Sequence, residues 1–186
     1  MKLFLGILEL IIVAWVSLAL LRFFLQKGGL HISHPLAQLC AQVTDFLVKP
    51  ARKIIKPIRG WDMAIIALTF FVLLVWQTAV VIFFLIKGLP FSGWTALYLV
   101  GNALLLWTKA LAYALIICLI IQMVLSFSNP YNPLMMAVNR ILKPLTRPFS
   151  FLRIGQVDFS GSLIFIALWL WVSVVVPYGQ YLLKIA

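Results

Sequence analysis

His34-Pro35-Leu36-Ala37-Gln38-Leu39-Cys40-Ala41-Gln42-Val43-Thr44-Asp45-Phe46-Leu47-Val48-Lys49-Pro50 is echoed 98 positions later, where Asn132-Pro133-Leu134 matches its beginning and Arg147-Pro148 its end. Each copy continues through a basic, proline-broken stretch to one aspartate, Asp62 or Asp158, directly ahead of a long apolar segment. A repeat at fixed spacing defines the architectural unit. The chain therefore reads as two repeats, 1–87 and 88–186.

Working outward, the flanking segments are apolar enough to cross a bilayer. Of the 186 residues, 65% are hydrophobic and only 10% charged, too little polar surface to cover a water-soluble globule. Leu3 to Leu25, Met63 to Ile86, Trp94 to Phe127 and Ser162 to Ile185 each supply the roughly 20 residues a spanning helix needs. The third stretch is long enough to be one helix or two. Lys27, Lys49, Arg52, Lys53, Lys56 and Arg59 lie between the first two spans, and Arg140, Lys143, Arg147 and Arg153 between the last two. Positive loops stay in the cytoplasm, which makes the third stretch a single crossing and places both termini outside. The expected fold is an all-α membrane protein with four transmembrane helices in two parallel repeats, each carrying an amphipathic cytoplasmic loop helix. The first apolar run is read as a retained anchor, not a signal peptide, because it is long, contains Glu9 and ends at Arg22 without a small-residue cleavage pattern.

The net charge of +11 is concentrated beside the spans, so anionic lipid is the expected partner and nucleic acid is not. In the first loop, Leu36, Leu39, Cys40, Val43, Phe46 and Leu47 share one helical face. The repeat offset turns that face into Leu134, Ala137, Val138, Ile141, Pro144 and Leu145, with Pro144 expected to shorten the second helix. Pro50 and Pro57 bracket Ala51 to Lys56 as a short basic piece between two breaks. Candidate lipid or partner contacts are Lys49, Arg52, Lys53, Lys56, Arg59, Arg140, Lys143 and Arg147. The alternative is that these cations serve only to orient the loops.

Carboxylates are scarce: Glu9, Asp45, Asp62 and Asp158 are the whole set. Asp62 and Asp158 stand where helix-capping carboxylates belong, ahead of apolar helices. Within the bilayer, Glu9 precedes Leu25 by 16 residues and Lys109 precedes Phe127 by 18, which suggests a Glu9–Lys109 pair at matching depth. Separate hydration of the two is the competing reading. Cys40 and Cys118 form neither a disulfide framework nor a metal motif.

The duplicated order of span, His/Asn-Pro, amphipathic segment, Lys/Arg-Pro and aspartate resembles the YggT family, also called the YlmG family. The matching pieces are His34-Pro35, Thr44-Asp45, Lys49-Pro50-Ala51-Arg52-Lys53 and Gly60-Trp61-Asp62, then Asn132-Pro133, Arg147-Pro148 and Val157-Asp158-Phe159-Ser160. The second copy departs from the pattern, with Ser150 and Phe151 in place of Arg52 and Lys53 and Gly161 where a proline is common. The resemblance implies a bacterial inner-membrane protein. Its relatives are linked to osmotic adaptation, to division-gene neighbourhoods and nucleoid distribution, and in chloroplasts to maturation of a b-type cytochrome.

No nucleophile, phosphate-binding or metal constellation stands out, so neither an enzyme nor a cofactor is expected. The leading expectation is a membrane scaffold or assembly and adaptation factor whose basic loops engage lipid or membrane-protein partners. The alternative is a small oligomeric ion or osmolyte channel using Glu9, Asn102, Lys109 and Gln122. Abundant tryptophans leave a homo-oligomer open.

Overall fold

The computed structural model describes residues 2–57, 61–88, 93–129, 131–154, 157–158 and 160–185. Apart from a ribbon of two two-residue strands, Arg153–Ile154 and Val157–Asp158, it is helical. Four helices are long and apolar enough to cross a membrane: α1 (Lys2–Lys27), α3 (Met63–Ile86), α4 (Gly93–Ser128) and the stretch from Ser160 to Leu183. The protein is thus a multi-pass membrane protein.

The long third stretch is one uninterrupted helix of 36 residues. At about 1.5 Å per residue it is far longer than a hydrocarbon core of about 30 Å. The last span is broken internally. Helix α6 (Ser160–Leu170) passes through a π-helical turn at Trp171–Val175 into α7 (Val176–Ile185), and the Val176 N–H reaches back to the Trp171 carbonyl. Pro177 follows at once; it has no N–H, and its ring would crowd a regular preceding turn, so a widened turn accommodates it.

Helices α1 and α3 pack on α4, along a seam of small side chains. Ala103, Ala110, Ala114 and Cys118 are fully buried there, facing Val16, Leu20 and Leu73. Small residues let helix backbones approach closely in lipid, where dispersion and hydrogen bonds replace the hydrophobic drive. Polar groups inside the bundle meet one another. Trp107 Nε1 donates to Thr69 Oγ1 at 3.1 Å, and Gln180 Nε2 donates to Asn102 Oδ1 at 2.8 Å.

The two helices between spans are α2 (Pro35–Ile54) and α5 (Pro133–Thr146). They begin alike: His34 Nδ1 accepts from the Leu36 N–H and Asn132 Oδ1 from the Leu134 N–H, each ahead of a proline at the first turn. Four of the residues expected on the inner face of α5 are buried: Leu134, Ala137, Val138 and Ile141. That helix ends two residues past Pro144, at Thr146.

Helix α2 differs from expectation in two respects. It continues through Pro50 to Ile54, so the short basic piece is its own last turn. Pro50 removes one backbone donor close to the helix end, where the loss is small and contacts from Arg52 hold the final turn. Its buried positions are Cys40, Thr44 and Val48, while Leu39, Val43 and Phe46 from the expected inner face are exposed. Helix α2 is therefore three-sided, with one side packed on α1 and α3, an apolar shoulder outward, and an ionic shoulder on the opposite flank.

Where α1 ends, Gly28 lies against α5, and a Cβ there would stand 2.6 Å from the Ala137 carbonyl oxygen. Gly28→Ala should cost about 1–3 kcal/mol through this clash with backbone. Gly6→Ala, into open space, should cost nothing. Unfolding midpoints of the two variants check the difference.

Candidate functional site

Arg22 is the anomaly of α1, a cation within a largely apolar span with only 6% of its surface exposed. It lies five residues from the helix end at Lys27, roughly 7.5 Å along the axis. A charge at that depth needs a partner. Helix α2 supplies it. Arg22 Nη1 donates to Thr44 Oγ1 at 2.8 Å and stands 2.7 Å from Asp45 Oδ1. Thr44 in turn donates to the Cys40 carbonyl at 2.6 Å, so its hydroxyl accepts and donates at once. One turn on, Lys49 Nζ lies 2.9 Å from Asp45 Oδ2. Burial pushes the Asp45 carboxyl up, but polar contacts from Lys49 and Arg22, together with their charges, outweigh it and hold the group below its ordinary value. Burial likewise raises the neighbouring Cys40 thiol, against the lowering charge of Arg22.

A second clamp joins the end of α2 to the start of α3. Arg52 Nε donates to Asp62 Oδ2 at 2.9 Å, its Nη2 donates to the same oxygen, and Nη2 also reaches Gln26 Oε1 at 3.2 Å. Asp62 does occupy the residue before α3, but its side chain makes no capping hydrogen bond. The expected cap is corrected: a two-pronged guanidinium outcompetes a neutral backbone N–H for the carboxylate. Beside it, Lys27 Nζ sits 4.4 Å above the Trp61 ring, which packs against Phe23 at 5.7 Å. Between the clamps lies a cavity of about 70 Å³ lined by Arg22, Gln26, Arg52, Leu25, Leu30 and Ala41, among others.

The other sequence candidates separate. Lys53, Lys56, Lys143 and Arg147 are exposed and make no ion pair among the described residues. Arg140 reaches the Gly28 carbonyl at a long 3.5 Å. Arg59 and the side chain of Asp158 lie outside the described residues; the Asp158 backbone is in the second strand, paired with Arg153. Glu9 and Lys109 are both described and both half-buried, yet they do not form an ion pair.

Sequence reasoning missed the Arg22–Asp45 pair. The signal was present: a lone arginine in a span, and a chain with four carboxylates to share. At the positions 98 residues on from Arg22 and Arg52 stand Ile120 and Ser150, so neither arginine is repeated in the second half. There Gln122 Nε2 donates to Asn139 Oδ1 at 2.9 Å, a neutral tie between α4 and α5.

Comparison with known proteins adds the following. A protein-family profile described as CCB3/YggT matches residues 1–84, the part that carries both clamps. A protein of Pseudomonas aeruginosa is 33% identical over 159 residues, covering 83% of this chain and 78% of its own. A protein of Haemophilus influenzae is 28% identical over 155 residues, covering 81% and 80%. Both carry the description uncharacterized. No solved structure is a significant match.

Removing one partner of a buried pair strands the other. Asp45→Asn should destabilise the protein by about 3 kcal/mol, and the double change Arg22→Met with Asp45→Leu should recover most of it. Thermal unfolding of the three variants measures this. The pH dependence has a definite sign: because the folded pKa of Asp45 is lowered, its contribution is complete above the ordinary carboxylate value near 4 and lost as pH falls through the lower folded value. Acid titration of wild type against the double variant should show that loss in wild type alone.

Proposed function

This chain belongs to the CCB3/YggT family, and from that premise we propose that it is a scaffold or assembly factor of the bacterial inner membrane, engaging anionic lipid and membrane-protein partners through two basic loops. The single observation that carries the reading is that both basic segments gather at one end of the bundle. Gly28, at the close of α1, lies against Ala137 of α5, and Arg140 reaches its carbonyl, so the cations of α5 stand beside those that follow α1. Arg22 and Arg52 hold α2 in place. The exposed Lys53, Lys56, Lys143 and Arg147 are left to face outward.

In this reading the halves 1–87 and 88–186 are parallel repeats, the basic end is cytoplasmic, and both termini lie outside. Each lysine or arginine near an anionic leaflet is worth about 1 kcal/mol, so a handful of them fixes the lipid shell without any pocket. The exposed shoulder of α2, with Leu39, Val43 and Phe46, suits a helix seated at the boundary between lipid and water. A scaffold asks of the chain only stable helices and a charged face.

Changing Lys53, Lys56, Lys143 and Arg147 together to glutamine should leave the unfolding midpoint within the range of surface substitutions, about 0.5 kcal/mol each. It should lower both the anionic share of the lipid and the number of proteins co-isolated in membrane discs excised with copolymer. An unchanged lipid shell and unchanged partners would count against the scaffold.

A further inference from the structure

We propose that the cavity between Arg22 and Arg52 is a binding site for one phosphate group, with a phospholipid headgroup as its favoured source. The inference rests on the lipid-engaging reading above and adds a specific site to it. The cavity lies between the last turn of α1 and the inner flank of α2, near the end of a spanning helix, where lipid phosphates sit. Its volume of about 70 Å³ is several times the roughly 10–15 Å³ that admits one water, which accommodates one small anion.

Charge points the same way. Arg22 and Arg52 both line the cavity, while the carboxylates they meet, Asp45 and Asp62, are not part of its lining. Three cations, Arg22, Lys49 and Arg52, share these two carboxylates, which leaves one positive charge over. Arg22 is more than nine-tenths buried, yet its Nε has no hydrogen-bond partner among the described residues. A buried guanidinium N–H without an acceptor is costly, and a phosphate oxygen is the acceptor that guanidinium geometry matches best. Gln26, which accepts from Arg52 through Oε1, has its amide nitrogen to offer as a further donor.

The remaining lining favours lipid over the free ion. Leu25, Leu30 and Ile32 form an apolar side, and Ile32 is 72% exposed, giving a headgroup an oily edge to rest its glycerol and upper acyl carbons against. An inorganic ion gains nothing from that edge.

The test uses the full chain in phosphate-free maltoside micelles, with native mass spectrometry counting adducts of short-chain phosphatidylglycerol, of the matching diacylglycerol, and of inorganic phosphate. Expected are one retained phosphatidylglycerol, no diacylglycerol, and at least tenfold weaker lipid binding in Ala41→Leu, which plugs the cavity and leaves every charge in place. If that variant fails to fold, Ala37→Val is the milder plug. Displacement of the lipid by equimolar inorganic phosphate would support the site and assign it to the free ion; failure to displace it would support the lipid. The absence of any phosphate-bearing adduct in wild type, or full-strength binding in the plugged protein, would overturn the proposal. The quadruple glutamine variant separates the two readings: it should keep this one adduct while losing the wider anionic shell.

Discussion

One buried charge sets the terms for the first half of this protein. Arg22 sits in a spanning helix with almost no exposure, and a cation there is tolerated only if an anion is brought to it. The anion comes on α2, which must fold back against α1 and turn so that Thr44 and Asp45 reach the guanidinium. Everything else about α2 follows from that rotation. Cys40 and Val48 point into the bundle with Thr44, and Val48 joins Ala19, Phe23 and Ile65 in a small core of its own. Arg52 is carried to Asp62 and Gln26, which fastens the start of α3 to the end of α1. Leu39, Val43 and Phe46 are left facing outward, where a membrane protein can afford apolar surface.

The same constraint explains how much could be read without coordinates. The four spans were legible because length and hydropathy decide them, and two basic loops on one side of the membrane require an even number of crossings between them, which made Trp94 to Phe127 one helix, as it is. The inner face of α5 was legible because only apolar residues compete for it. The inner face of α2 was not, because a periodicity argument ranks Phe46 above Thr44, whereas the buried arginine reverses the order. Asp62 failed as a cap for a related reason: a nearby arginine displaced the backbone as its donor. Glu9 and Lys109 do not form an ion pair, because residues counted from the helix ends give a position along the axis and not the face a side chain occupies.

The two halves use the same order of elements with different ties. In the first, ion pairs link α1, α2 and α3; in the second, the described ties are neutral, Gln122 to Asn139 between α4 and α5 and Gln180 to Asn102 between α4 and α7. Lys143 and Arg147 of the second loop are left exposed, while two arginines of the first are committed to structure. That asymmetry divides the work in the proposed function: an ion-paired first half with a small cationic cavity, and a basic second loop open to a diffuse anionic surface.

The central claim is that the Arg22–Asp45 contact holds α2 against α1. The most direct measurement is thiol crosslinking in native membranes between Ala19→Cys and Val48→Cys, both fully buried in the native packing, in a background with Cys40 and Cys118 replaced by serine. The account predicts efficient crosslinking with Asp45 present and a severalfold loss in Asp45→Asn. Equal crosslinking with and without the carboxylate would contradict it.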